Sequence, residues 1–203
     1  MESKKMGQVF SFKTTNSYSR EKLNYEVGDV KNIHYGDIHT QYRTLFDAKK
    51  ESTPFINLDT NIQKISQDNY CMVGDVILAD ASEDLQDVGK SIEVINIDSQ
   101  RILAGLHTIH ARPFSNIFYI GFCGHLFTSK RVKLQIQKEA QGTKVLSIST
   151  GRLSNIDLPI PSLEEQSSIA KFFSHINDKV ETEKQILLQY KNQKTHLLQN
   201  LFI

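Results

Sequence analysis

The stretch Asp157-Leu-Pro-Ile-Pro-Ser-Leu-Glu-Glu-Gln166 decides the architecture: a short proline-punctuated strand that runs directly into a heptad-patterned helix. Ser162 and Glu165, three residues apart with Pro161 just before them, form the sequence signature of a capping box, so the helix starts there. Steps of four and three from Ile169 give Ile169, Phe173, Ile176, Val180, Glu183, Leu187, Tyr190, Lys194, Leu197 and Leu201. Eight of the ten are apolar, which is the 3.5-residue repeat of a coiled-coil seam. Nothing helix-breaking follows, and thirty-nine residues at 1.5 Å rise make a rod of about 58 Å. A domain built from the residues before it is only about 35 to 40 Å across. The distal turns therefore project, and the seam needs a partner. Glu183 and Lys194 interrupt the seam, and opposite signs on one helix suit pairing across an antiparallel partner.

The bulk properties bound the rest. Of 203 residues, 39% are hydrophobic and 23% charged, enough for one core and an appendage. Cys71 and Cys123 are far apart and outside any CxxC pattern, so reduced thiols and a cytoplasmic location are expected. The polar start Met1-Glu-Ser-Lys-Lys-Met-Gly7 and the lack of a long apolar run give the expectation that the protein is neither exported nor membrane-spanning. Net charge is +1, too balanced for a domain that grips nucleic acid by charge alone. Locally it is not balanced: Lys130, Arg131, Lys133, Lys138, Lys144 and Arg152 face the single acid Glu139, a candidate phosphate-facing surface.

Ahead of the helix, strand-like pieces alternate with turns. Val30 to Tyr35 ends at a turn, Gly36-Asp37-Ile38, and Cys71 to Ala79 is an apolar run with a turn signal inside it. Ile92 to Ile97 alternates at period two, and Leu103 to Ala111 is one β-compatible stretch closed by Pro113. Tyr119 to Ala140 changes period and reads as a single helix through Phe122, Leu126, Phe127, Val132, Leu134 and Ile136. Val145 to Ile148 and Ile156 to Ile160 read as strands on either side of a turn at Ser149-Thr-Gly-Arg152. The fold class is α+β: a mixed domain of short strands with an embedded helix, residues 1–157, followed by one long C-terminal coiled-coil helix, residues 158–203.

Catalytic signatures are missing. There is no GxxxxGK[ST], no strand–GxGxxG–helix and no nucleophile-elbow spacing, so autonomous catalysis is not expected. His107 and His110 fall on opposite faces of a strand, and His34 and His39 flank a turn without a Cys at ligand spacing; no metal is expected. The acidic run Asp75 to Asp87 lacks the alternate-position spacing and central Gly of a calcium loop. Each loop taken singly reads as a plain turn. Taken together, Tyr35 to Thr40, Ala79 to Glu83, Gly105 to Thr108 and Gly142 to Lys144 offer the donors and acceptors that read base edges, while Lys and Arg hold the backbone.

Those loops and the strand–helix junction carry a family resemblance. Met6-Gly-Gln-Val-Phe10, His34-Tyr-Gly-Asp-Ile38, Gly74-Asp-Val-Ile-Leu-Ala-Asp-Ala81, Gln141-Gly-Thr-Lys144 and above all Leu158-Pro-Ile-Pro-Ser-Leu-Glu-Glu-Gln-Ser-Ser-Ile-Ala170 resemble a specificity (S) subunit of a type I restriction-modification enzyme, specifically one half of it. The resemblance implies a target recognition domain that reads one half of a bipartite site in double-stranded DNA, joined to a spacing helix. It implies no catalytic centre and no cofactor in this chain. S-adenosylmethionine would belong to modification subunits that methylate adenine, and ATP and Mg to restriction subunits reached indirectly through them. Full S subunits hold two recognition domains and two long helices, and here there is one of each. Two copies paired antiparallel, a homodimer, or pairing with another S half would restore the pattern.

Within this reading the expected DNA contacts, chosen by loop location and side-chain type, are Tyr35, Asp37, His39, Asp80, Ser82, His107, Thr108, Thr143, Lys144 and Arg152, with Lys130 and Lys133 on the basic stretch. The expected partner-helix contacts are Ile169, Phe173, Ile176, Val180, Leu187, Tyr190, Leu197 and Leu201. A competing reading is a truncated S-like coiled-coil module that binds modification subunits without reading DNA.

Overall fold

A computed structural model describes residues 2–114 and 117–201. Its centre is a five-stranded sheet in the spatial order Phe10–Lys13, Thr108–Pro113, Val76–Ala79, Ser91–Asn96, Leu45–Asp47. The first four strands pair antiparallel and the edge strand Leu45–Asp47 joins Ser91–Asn96 in parallel. Both faces are covered, so the strands read as continuous apolar runs and alternation shows only in which core each residue enters. Val76 and Leu78 pack into one core and Ile77 and Ala79 into the other. Each such Val, Ile or Leu stabilises the fold by about 1.5 to 3 kcal/mol.

The second core lies under a four-stranded sheet, Ile102–Ala104, Lys31–Ile33, Phe55–Ile56 and Leu23–Asn24, and a short helix, which is α2 below. The first core is covered by helices. In chain order these are α1 (Met6–Val9), α2 (Tyr35–Thr40), α3 (Phe122–Thr128), α4 (Lys130–Glu139), α5 (Thr150–Leu153) and α6 (Leu163–Leu201), of which all but α2 supply residues to it. The α+β class, the short strands and the long C-terminal helix match the sequence reading.

Four local expectations are corrected. The single helix over 119–140 is two helices, because Ser129 is extended (φ −64°, ψ 142°) and the Thr128 hydroxyl donates to the Gly124 and His125 carbonyls at the end of α3. The break resets the helical phase, so Phe122, Leu126, Phe127, Val132 and Ile136 all enter one core, while Leu134 is left exposed. The turn at Gly36-Asp37-Ile38 is helix α2, capped by the His34 ring, whose Nδ1 accepts from the Gly36 N–H at 3.1 Å. Leu103 to Ala111 is two strands in different sheets, separated by a turn in which His107 takes φ 53°. The turn at Ser149 to Arg152 is the one-turn helix α5.

The strand Asp157–Ile160 pairs antiparallel with Glu2–Lys5, so the 157/158 division falls inside an element that is hydrogen-bonded to the globular part. Ser162 and Glu165 close the capping box: the Ser162 N–H donates to Glu165 Oε2 at 2.9 Å and the Glu165 N–H donates to Ser162 Oγ at 3.3 Å. Gln166, 1% exposed, then roots α6: its Oε1 accepts from the Tyr119 N–H at 2.9 Å, and its Nε2 donates to the carbonyls of Ile117 (3.1 Å) and Pro161 (3.0 Å).

Candidate nucleic-acid interface

Tyr35, His39, Asp80, Ser82 and His107, drawn from three separate loops of the sequence, converge on one patch. The Tyr35 ring centroid lies 4.7 Å from that of His34, 6.1 Å from His39 and 5.3 Å from His107, the last two edge-on. His107 Nδ1 is 3.3 Å from Asp80 Oδ1, and the Asp80 N–H donates to the His107 carbonyl at 3.0 Å. The His39 ring is 3.0 Å through Nε2 from the Ala81 carbonyl; a carbonyl only accepts, so this nitrogen carries the proton. Lys90 Nζ donates to the His39 carbonyl at 2.7 Å. Ser82 ends the bridge Ala81–Ser82, which pairs antiparallel with Leu146–Ser147. Through that pairing the exposed loop carrying Thr143 and Lys144 stands next to the patch.

Asp37 and Thr108, expected at loop surfaces, are buried. Both Asp37 oxygens are taken by Arg20, Nη1 to Oδ2 at 2.9 Å and Nη2 to Oδ1 at 2.7 Å, a bidentate pair. The Thr108 hydroxyl donates to the Gly105 carbonyl at 2.6 Å. They shape the patch from below. Lys130 and Lys133 lie on the first turn of α4, about 10 Å and about 6 Å along the helix from Gln137, which reaches the loop carbonyl of Leu85. Arg152 donates to the Glu139 carbonyl at 2.8 Å and ties α5 to the end of α4. Among the described residues no hydrogen bond or ion pair joins Lys130, Lys133 or Arg152 to the aromatic patch, although the Ile148 N–H, just before α5, donates to the Asp80 carbonyl at 2.8 Å.

Burial raises the Asp80 carboxyl above its ordinary range, and the nearby His107 opposes the rise. Burial, with Arg20 next to it, lowers the His34 imidazole, so this ring is held neutral and free to accept. The patch thus presents imidazole, phenol, carboxylate and hydroxyl groups side by side, a mixed donor and acceptor surface suited to base edges. Sequence reading missed Arg20, His34 and Lys90 as its supports. No local pattern links Arg20 to Asp37 across seventeen residues; only the fold does.

Among the described residues no group of three or more His, Cys, Asp or Glu is placed to hold a metal ion, and no helix is long and apolar enough to cross a membrane. On α6, Ile169 packs on the first core and the Phe173 ring lies 5.0 Å from that of His125. Arg43 and Glu181, 3.6 Å apart, bridge the helix to the domain across a cleft of about 430 Å³. From Ile176 to Leu201 the apolar seam residues Ile176, Val180, Leu187, Tyr190, Leu197 and Leu201 are exposed.

A family model described as "Type I restriction modification DNA specificity domain" matches residues 1–192. The chain is 23% identical over 166 residues to a protein named as the type I restriction enzyme MjaX specificity subunit of Methanocaldococcus jannaschii, covering 80% of this chain and 38% of that one. It shares its fold with the type I restriction-modification S subunit from M. genitalium (TM-score 0.60, 13% identity, 99% of this chain and 46% of that chain). It also shares its fold with a chain from a structure of the assembly and conformational transition of the type I R-M system (TM-score 0.64, 17% identity, 97% and 43%). This chain spans less than half the length of each of these relatives.

Proposed function

The chain belongs to the family of type I restriction-modification DNA specificity domains, and from that premise we propose that it is a non-catalytic DNA-recognition subunit. It reads one half-site in double-stranded DNA and directs adenine methylation and cleavage by partner subunits in the cytoplasm. The observation that carries this reading is the pairing of a mixed donor–acceptor patch, Tyr35 with His39, Asp80, Ser82 and His107, with a 39-residue helix whose seam is uncovered. The patch supplies readout and the helix supplies spacing. Thr143 and Lys144 flank the patch, and Lys130, Lys133 and Arg152 serve phosphate contacts.

Charge supports a division of labour. With a net +1, the chain alone neutralises few phosphates, so its own affinity for DNA is weak and modification subunits provide the remaining contacts. S-adenosylmethionine, ATP and Mg belong to those partners and to the restriction subunits they recruit. Two copies, or this chain with another S half, pair their helices antiparallel and supply the second recognition domain. A homodimer would read an inverted repeat.

The test is methylome sequencing of a host carrying the modification subunit with the intact chain or with Tyr35→Ala plus His107→Ala. Loss or relaxation of the methylated motif, with co-purification of the modification subunit unchanged, is expected. An unaltered motif would establish instead the coiled-coil module that binds modification subunits without reading DNA.

A further inference from the structure

The exposed seam of α6 is self-complementary in one alignment, and we infer that a second copy of this chain covers it antiparallel with Glu183 opposite the partner's Lys194. This rests on the pairing reading above and adds its register. From Ile176 onward the seam has two charged positions, Glu183 and Lys194, among apolar residues that are 42 to 69% exposed. Parallel in-register pairing would set Glu183 against the partner's Glu183 and Lys194 against the partner's Lys194, like charges in a seam. Antiparallel pairing with the two charges opposed also sets Ile176 against the partner's Leu201, Val180 against the partner's Leu197 and Leu187 against the partner's Tyr190. The two-fold axis repeats every one of these pairings.

Sliding by one heptad destroys the match in either direction. One slide sets Glu183 against the partner's Leu187 and Lys194 against the partner's Ile176. The other sets Glu183 against the partner's Leu201 and Lys194 against the partner's Tyr190. Each withdraws charges from water without a counter-charge, which is how polar seam residues select register. Shape agrees with charge. Ile176, Lys179, Val180, Glu183, Lys184 and Leu187 enclose an apolar groove of about 410 Å³ on the helix, and this register brings the partner's Leu197 to it as a knob opposite Val180. Ile169 packs on its own domain and Phe173, 42% exposed, has one ring contact there with His125; the paired span begins at the next seam position, Ile176.

The axis then passes between Leu188 and Gln189, leaving the two Ile169 roots about 58 Å apart along the helices. A slip of one heptad changes that separation by about 10 Å, or about three base pairs of DNA. Register would thereby fix which spacer length the pair accepts.

Cysteine cross-linking of the full chain tests the register, because Cys71 and Cys123 are buried. Val180→Cys with Leu197→Cys is expected to oxidise to a covalent dimer, whereas Val180→Cys with Tyr190→Cys, which reports a slipped register, is expected to stay uncrosslinked. Glu183→Lys alone should weaken dimerisation about tenfold or more, and adding Lys194→Glu should restore it to within about threefold. Cross-linking through the Tyr190 pair, or no rescue by the double swap, would overturn the register and leave antiparallel pairing standing. A monomeric mass for the unsubstituted chain at every concentration in sedimentation equilibrium would overturn the pairing itself.

Discussion

Glu93 is a carboxylate placed where the fold has to satisfy it with backbone. It sits on the strand Ser91–Asn96, 1% exposed, on the face opposite Ile92 and Val94, and points at the start of α3. The Gly121 N–H donates to Oε1 at 2.6 Å and the Gly124 N–H to Oε2 at 2.7 Å, so the carboxylate caps the helix across the core. Gly121 holds φ 92°, a conformation open to glycine. Burial outweighs these bonds and raises the Glu93 pKa to about 7. Its folded pKa is thus above its unfolded one near 4.3, and the folded state binds more protons between the two values. Stability from this group therefore falls as pH rises from about 4.5 to 7, by roughly 3 kcal/mol in all. His34 and His125, whose pKa values are lowered by burial, act in the opposite sense below about 6.5, so the difference between variants isolates Glu93. Urea melts of Glu93→Gln against the unsubstituted chain should show the gap between them narrowing as pH rises from 5 to 8. A constant gap would mean that Glu93 is ionised throughout.

The root of α6 shows how one side chain aims an element. Gln166 is itself buried and holds one amide and two carbonyls, of which the Pro161 carbonyl is buried with it. Gln166→Ala should lower stability by about 1 to 3 kcal/mol in denaturant melts, because three hydrogen bonds are lost and the Pro161 carbonyl is left buried without a partner. The strands Glu2–Lys5 and Asp157–Ile160 pair beside this root, so a segment far away in the chain holds the start of the helix. Element type was legible wherever a pattern stayed local: the capping box, the 3.5-residue seam and the period-two strand at Ile92 to Ile97 are written in neighbouring residues. Element boundaries were not. The α3–α4 break depends on Ser129 turning so that two apolar faces meet one core, and the His34 cap depends on a ring contacting the next turn.

At the scale of the whole molecule, an uncovered seam makes folding and association one equilibrium. If a second copy binds only the folded chain, stability per chain rises by about 0.7 kcal/mol for each tenfold in total concentration above the dissociation constant, because free folded chain grows only as the square root of the total. The melting midpoint should therefore climb by about 1.5–3 °C for each tenfold increase in protein concentration, read by calorimetry or circular dichroism. A midpoint independent of concentration would fit a chain that stays alone. By itself the sequence determined the long helix, its start, its exposed seam, the α+β class and the loops from which the patch is drawn. All of these are set by periodicity, proline and capping, which act over a few residues. Tertiary structure alone decided that Tyr35, His39, Asp80, Ser82 and His107 share one surface while Asp37 and Thr108 lie beneath it, and that Arg152 ties α5 to the end of α4. That outcome rests on strand order and on contacts between residues well apart in the chain, such as Arg20 with Asp37 and Asp80 with His107. Burial and pairing energies across such distances belong to the assembled core and leave no local trace in the chain.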